Sequence, residues 1–291
     1  MPDGPIFPEP EYLRRQSALL SQLDINSILL IPTNKMKVRS HDVHFPFRAS
    51  SDILYLTGWE EPKALFVGHH DGTEWKTTLF VQDNNELAER WEGRRVGLSG
   101  AQERWPVDYA RDWESRLDVL EGWMQTKSTI YIQQGHDKDL DTMVNTLVTT
   151  KSREKTVTGK GPRAIIDPSS LLSELRIRKS ESEISIMREA AIIASKAHIH
   201  AMRNTQGDSN ESEIQSLIES TFMKNQSVPS YGSIVAGGDN ATILHYHANR
   251  DSVNDGSLIL IDAGCEVHGY ASDITRTCLL YTSPSPRDMW T

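Results

Sequence analysis

LILIDAGCEVHGYASDITRT, residues 258–277, carries two aspartates, Asp262 and Asp273, on either side of a turn sequence. The first half is β-branched and apolar and the second half alternates, which predicts a β-hairpin. If the hairpin is symmetric about the midpoint between Val267 and His268, the two aspartates face each other with Cβ atoms about 5 Å apart. Carboxylates held that close repel unless a proton or cation lies between them. A hard divalent cation, or a pair about 3.5–4 Å apart, suits such a cluster.

An alternative interpretation places one aspartate in the turn and exposes the other to solvent. Asp262, however, follows Leu258 and Leu260 on the same face of an apolar strand. A carboxylate on such a face is costly to bury without a partner. The pairing of the two aspartates therefore favours a metal site.

Histidines are the second set of candidate ligands. His245 and His247 are two positions apart, and on a strand they would face the same way, which fits joint metal binding. His69 and His70 are adjacent, and we assign them to a solvated turn rather than to a metal. Cys265 ends an apolar strand, so a structural role is favoured over a nucleophilic one.

The 258–277 stretch resembles the metal-binding hairpin of Xaa-Pro aminopeptidases (aminopeptidase P), which are pita-bread metallopeptidases. Shorter similarities run through most of the chain in the order of that family. They are Arg14-Arg15-Gln16, Phe47-Arg48, Tyr55 to Pro62, Trp91 to Arg95, Pro229-Ser230-Tyr231, Gly237-Gly238 and Ile243 to Tyr246. The resemblance implies an α/β N-terminal domain of the creatinase/aminopeptidase P type, followed by an incomplete α+β pita-bread catalytic domain. We predict boundaries at 1–168, 169–277 and 278–291.

The resemblance also implies a chemistry. The family releases the N-terminal residue from peptides with proline in second position, using two divalent metal ions, here expected to be Mn²⁺. Asp262 and Asp273 would be metal ligands, together with one His and two Glu that come later in the family. His245 would be catalytic and contact substrate, Tyr231 would bind substrate, and Arg276 could orient a carboxylate. Two alternatives stay open, a prolidase-type dipeptidase and a non-catalytic pita-bread binding module.

Residues 278–291, CLLYTSPSPRDMWT, depart from the family pattern and resemble a translated sequencing adaptor. We interpret them as a non-native tail after a truncated catalytic domain, the alternative being a native Pro/Ser-rich tail. On this interpretation the 291-residue polypeptide is inactive, because the remaining His and Glu ligands are absent.

Composition limits the partners. A net charge of −9 disfavours nonspecific binding to nucleic acid or anionic membranes, and no apolar stretch is long enough to span a bilayer. With Cys278 in the suspect tail, Cys265 alone cannot form an internal disulfide, which favours a reducing, cytoplasmic compartment. The expected partners are proline-containing peptides and, as a homo-oligomer, further copies of the chain.

Periodicity predicts alternating elements in the first domain and a helix pair before the hairpin. Ser180 with Glu183, and Asp208 with Glu211, match the capping box of two helices. The predicted strands of the first domain are Ser27 to Pro32, Ile53 to Leu56, Ala64 to Val67, Thr78 to Val81 and Thr129 to Ile132.

Overall fold

The computed structural model describes residues 4–150 and 157–280. The chain divides into two compact units, Met1–Arg178 and Lys179–Thr291. Helix Ser169–Ile177 groups with the first unit. The predicted domain boundaries at residues 168 and 277 stay predictions.

The first unit is an α/β unit. Its helices are α1 (Glu9–Leu20), α2 (Ser51–Thr57), α3 (Glu86–Glu92), α4 (Gly97–Arg104), α5 (Arg116–Met124), α6 (Lys138–Thr150) and α7 (Ser169–Ile177). Its strands are β1 (Ser27–Pro32), β2 (Val38–Ser40), β3 (Val43–His44), β4 (Leu65–His70), β5 (Trp75–Val81), β6 (Tyr109–Asp112), β7 (Thr129–Ile132) and β8 (Ala164–Ile166). Strands β2 and β3 form a separate exposed ribbon.

The other six strands form one sheet in the order β6-β5-β4-β1-β7-β8. Only β4 runs antiparallel to its neighbours in this sheet. All six residues of β1 are buried, because Leu29 and Ile31 join one hydrophobic cluster and Ile28 and Leu30 join another on the opposite face. A sheet covered on both faces explains the continuous apolar run of β1.

Residues 51–57 form helix α2, so the strand predicted over Ile53 to Leu56 is wrong. The Ser50 hydroxyl accepts a hydrogen bond from the Ile53 backbone N–H at the start of the helix, and Gly58 ends it in the left-handed conformation, φ 68°. These end signals decide the structure, since a four-residue apolar run has no distinctive period.

His69 was predicted to lie in a solvated turn. It is instead half-buried in β4. Its ring stacks on Trp123, with centroids 4.1 Å apart and an interplanar angle of 19°. Burial and the nearby Lys127 ammonium hold the pKa of His69 below its usual value. The folded first unit therefore favours the neutral imidazole.

We expect the first unit to lose stability as pH falls from 7.5 through about 6.5, the pKa of an unfolded histidine. The folded state resists protonation of His69 and the unfolded state does not, so the stabilisation is complete above that pH and decreases below it. Thermal unfolding should show a smaller decrease between pH 7.5 and 5.0 in His69→Gln than in the wild type. The exposed-site control His41→Asn should keep the wild-type dependence.

The second unit pairs two helices with two small sheets. The helices are α8 (Glu181–Asn204) and α9 (Glu211–Lys224), and the strands are β9 (Val228–Pro229), β10 (Ile234–Gly237), β11 (Leu258–Asp262), β12 (Cys265–Val267), β13 (Tyr270–Ala271) and β14 (Thr275–Leu279). The sheets have the orders β10-β11-β14 and β13-β12-β9. Strand β14 extends two residues into the predicted tail, and residues 281–291 lie outside the described residues.

The capping box Ser180–Glu183 is confirmed at the start of α8. The second box is formed by Asn210 and Glu213, so the prediction of Asp208 with Glu211 is wrong by two residues. Asp208 has a left-handed backbone, φ 67°, unlike the extended conformation of an N-cap residue. Because Glu213 and not Glu211 completes the capping box, the Glu211 side chain can make other hydrogen bonds.

One face of the β10-β11-β14 sheet packs on the helices. Val235, Ile259 and Ile261 share a buried cluster with residues of α8 and α9. The alternate residues Ile234, Ala236, Leu260 and Asp262 therefore belong to the opposite face. That face carries the candidate site.

Candidate metal centre

The hairpin register differs from the predicted one. Asp262 pairs with Thr275, not with Asp273. The turn is centred on His268 and Gly269, whose φ angles are 48° and 83°, between the paired residues Val267 and Tyr270. Positive φ at both central residues is the signature of a type I′ turn.

Moving the centre of the turn by one residue moves the register by two. Asp273 therefore becomes a diagonal neighbour of Asp262 instead of its direct partner. A shift of two preserves the face on which each side chain lies, since strand side chains alternate with period two. The predicted direct pairing of Asp262 with Asp273 is therefore wrong, whereas their place on the same face of the hairpin is retained.

Tyr231 lies between the two aspartates. Its hydroxyl oxygen is 2.5 Å from Asp262 Oδ1 and 3.0 Å from Asp273 Oδ1. A phenol has a single proton and can donate it to one carboxylate only. The phenol oxygen and the two carboxylate oxygens therefore have one proton among them. A bound cation would compensate the remaining negative charge of the carboxylates.

The environment keeps Tyr231 protonated. Burial, reinforced by the hydrogen bond to Asp262 and by the charges of both aspartates, raises the pKa of the Tyr231 hydroxyl far above its usual value. The phenol is thus a neutral donor at physiological pH.

Backbone contacts around Gly264 fix the two aspartates. A Cβ atom added to Gly264 would lie 1.8 Å from the Ser272 carbonyl oxygen, so no larger residue fits there. Ser230 donates its N–H to the Gly264 carbonyl and its hydroxyl to the Ser272 carbonyl, at 3.0 and 2.9 Å. The segment that carries Tyr231 is thereby attached to both strands of the hairpin.

The buried residues beside the site have structural roles. His198 Nε2 lies 3.1 Å from the Ala263 carbonyl oxygen, whereas His200 contacts α9. The buried Cys265 thiol donates to the Ala190 carbonyl at 3.3 Å, in line with the structural role expected for it.

His245 lies in an exposed turn, so the strand on which joint metal binding by His245 and His247 would depend is not formed. The two imidazole rings still lie side by side, with centroids 6.3 Å apart. Within residues 4–150 and 157–280, no hydrogen bond joins His245 to either aspartate or to Tyr231. Its catalytic role stays a prediction.

Glu211 has a role in this region that the sequence did not reveal. Its side chain is fully buried at the first position of α9. It accepts hydrogen bonds from the Gly237 N–H, Asn240 Nδ2, the Tyr246 hydroxyl and the Asp251 N–H, at 2.8 to 3.0 Å. Glu211 thereby holds the ends of the segment that contains His245.

Contrary to expectation, the Arg276 guanidinium has no carboxylate partner within the described residues. Arg276 pairs with Ile261, on the sheet face opposite Asp262, and its guanidinium donates to the Thr275 carbonyl at 2.7 Å. The cause is the alternation of the strand, which directs Arg276 away from the aspartates.

The donor set fits part of a site for a hard divalent ion. Carboxylate oxygens are the preferred protein ligands of such ions, and Asp262 and Asp273 supply them from adjacent strand ends. The described residues contain no group of three or more His, Cys, Asp or Glu side chains placed to hold a metal. The two aspartates therefore form a half-set of ligands.

Comparison with known proteins identifies similar sequences. The model described as "Aminopeptidase P, N-terminal domain" matches residues 12–131, and "Metallopeptidase family M24" matches residues 185–291. Xaa-Pro aminopeptidase of Haemophilus influenzae is 38% identical over 272 residues, covering 93% of this chain and 61% of that protein. The Escherichia coli Xaa-Pro aminopeptidase is 35% identical over 269 residues, with 92% and 61% covered.

Solved structures give the same result. A variant of E. coli aminopeptidase P in complex with substrate superposes with a TM-score of 0.88 at 35% identity, covering 94% of this chain and 63% of that one. Proline aminopeptidase P II from Yersinia pestis has a TM-score of 0.88 at 34% identity, with 96% and 65% covered. The predicted fold class is confirmed, and the chain spans about 61% of the length of the curated relatives.

Proposed function

We propose that this chain belongs to the M24 metallopeptidase family, whose model matches residues 185–291, and that its protein is a metallo-aminopeptidase. It releases the N-terminal residue from peptides with proline in second position. The convergence of Asp262 and Asp273 on one phenolic oxygen carries the proposal. The substrate class is supported by relatives named Xaa-Pro aminopeptidase and by E. coli aminopeptidase P with the inhibitor Pro-Leu.

In this proposal Asp262 and Asp273 hold divalent ions, with Mn²⁺ as the metal. Water activation near neutral pH is the chemistry that such ions supply when bound. The Tyr231 hydroxyl donates a hydrogen bond to one carboxylate and keeps Asp262 and Asp273 close to each other. His245, which lies in an exposed turn, contacts the substrate. Membership of the family supports divalent metal, and the choice of Mn²⁺ rests on the resemblance alone.

Partners and location complete the proposal. The partners are proline-containing peptides and further copies of the chain, with no nucleic acid or membrane, in keeping with a net charge of −9. The location is cytoplasmic, which the buried, unpaired Cys265 thiol supports. Among the helices of residues 4–150 and 157–280, none is long and apolar enough to cross a bilayer.

A chimaera tests the proposal. Residues 1–277 replace the matching segment of the H. influenzae Xaa-Pro aminopeptidase, and the parent enzyme serves as the positive control. We expect Mn²⁺-dependent release of the first residue from an Xaa-Pro-Xaa tripeptide and no cleavage of the matched Xaa-Ala-Xaa tripeptide. Cleavage of Xaa-Pro dipeptides only would instead establish a prolidase. A folded, inactive chimaera would favour the binding module.

The 291-residue chain alone should bind Mn²⁺ weakly. Two carboxylates are fewer ligands than a six-coordinate ion takes, so we expect a Kd of about 10⁻⁴ M or weaker. Calorimetric titration of the wild type and of Asp262→Asn measures it, with an Xaa-Pro peptide assay in parallel. Micromolar binding or proline-specific cleavage by the chain alone would contradict the expectation.

A further inference from the structure

A cavity of about 590 Å³ opens in the first unit, and neither Asp262 nor Asp273 is among its lining residues. Residues that follow the carboxyl ends of β1, β5, β6 and β7 line it, together with Pro62 and Lys63 just before β4. Strand β1 lies where the order of the sheet reverses, because the chain proceeds from it to β4, β5 and β6 on one side and returns to β7 and β8 on the other. In open α/β sheets, ligands bind in the crevice beyond the carboxyl ends of the strands at such a reversal.

The acidic side chains of the cavity are already paired with arginines. Arg116 binds Asp137 through Nε at 3.1 Å and lies 3.7 Å from Asp139 through Nη2. Arg95 binds Glu92 at 3.0 Å. One arginine therefore serves two aspartates, and these paired groups together keep a single net negative charge, which is less than the three positive charges of the cavity's lysines.

The lysines of the cavity are in the opposite situation. Lys35, Lys63 and Lys138 line it, and within the part of the chain that the structure describes none of their ammonium groups has a hydrogen-bond or ion-pair partner. Three ammonium groups around one concave space repel each other and reinforce one another's attraction for an anion. The whole chain is acidic, with a net charge of −9, so this local excess of positive charge is unusual for it.

Part of the cavity wall is buried or apolar. The guanidinium of the buried Arg116 stacks on the Trp113 ring, with Cζ 3.9 Å from the centroid, and Met36 and Pro32 also line the space. Pockets of this size with apolar walls and a few convergent charges are typical of small-molecule sites.

We propose that this cavity binds a small polyanion that carries phosphate or carboxylate groups, through Lys35, Lys63 and Lys138. The residues of this site do not include Asp262 or Asp273, and the proposal does not depend on the proposed peptidase activity. Lysine acts as a point charge toward phosphate, so charge and not bidentate geometry selects the ligand.

The test is calorimetric titration of the 291-residue chain with pyrophosphate and, separately, with citrate at constant ionic strength, which distinguishes phosphate from carboxylate ligands. The triple variant Lys35→Gln, Lys63→Gln, Lys138→Gln should bind on the order of 100-fold more weakly, because each charge-assisted contact is lost. The matched control Lys160→Gln, Lys196→Gln, Lys224→Gln removes the same charge from exposed positions elsewhere and should stay within about twofold of the wild type.

A measurement on the wild type covers the case in which the triple variant does not fold. Pyrophosphate or citrate should protect Lys35, Lys63 and Lys138 from an amine-acylating reagent and leave Lys160, Lys196 and Lys224 unprotected. The proposal is overturned if neither anion binds, if the control variant loses as much affinity as the triple variant, or if protection is uniform over all six lysines.

Discussion

A chimaeric enzyme that contains residues 1–277 of this chain is expected to lose about 10³-fold or more in kcat/KM for an Xaa-Pro peptide when Asp262 is changed to asparagine. The amide keeps the shape of the side chain and removes the negative charge that would hold a cation. Electrostatic stabilisation by a bound divalent ion is worth several kcal/mol, and about 4 kcal/mol corresponds to three orders of magnitude. Steady-state kinetics at saturating Mn²⁺ measures the loss.

Asp273→Asn should have a similar effect, because both carboxylates contact the same Tyr231 hydroxyl. The double variant should be little worse than either single one, since groups that act as a unit are not additive. The control is Asp239→Asn, an exposed carboxylate in the turn after β10, which should leave kcat/KM within about twofold. Retained turnover in Asp262→Asn at full metal loading would remove Asp262 from the ligand set.

The sequence could predict that Asp262 and Asp273 lie on the same face of the hairpin, because this depends only on the period of two along a strand. The register could not be predicted, because it depends on which residues occupy the centre of the turn. Residues other than glycine seldom adopt positive φ, so Gly269 was a stronger turn signal in the sequence than His268. An error of one residue in the turn became an error of two in the register.

Residues at the ends of helices determined the structure of two other segments that the apolar pattern or the capping pattern predicted incorrectly. Ser50 and Gly58 enclose a helix where the run at 53–56 suggested a strand. At α9 two overlapping capping patterns were present, and the structure uses Asn210 with Glu213. Sequence alone did not distinguish them, because both have an acidic residue three positions after a capping residue.

Contacts between residues distant in sequence could not be predicted from spacing. Tyr231 was expected to bind substrate, and its position 31 residues before Asp262 contains no information about the hydroxyl between the carboxylates. The same is true of Glu211, whose hydrogen-bond partners lie 26 to 40 residues further along the chain. Only the packing of α9 against the sheet brings these groups together.

Glu211→Ala should destabilise residues 179–280 by about 3–5 kcal/mol, because it leaves buried donors without an acceptor. The Tyr246 hydroxyl and the backbone N–H groups of Gly237 and Asp251 lose their acceptor, whereas Asn240 Nδ2 keeps the Tyr246 hydroxyl and Asp251 Oδ2. Tyr246 shows how closed the environment is, since burial and the hydrogen bond to Glu211 raise its pKa to about 12. Hydrogen exchange measured peptide by peptide should report the loss in residues 179–280 and little change in residues 4–150.

Two further variants make the result specific to the hydrogen bonds of Glu211. Glu211→Gln keeps the shape of the side chain and one acceptor oxygen. Its free energy of unfolding should therefore lie between those of the wild type and Glu211→Ala. Glu189→Ala removes an exposed glutamate from α8 and should change stability by less than about 0.5 kcal/mol. If Glu211→Ala is no more destabilising than Glu189→Ala, the four hydrogen bonds do not hold the segment that contains His245. His245 would then reach the site without that support, and its position would have to be set by the substrate.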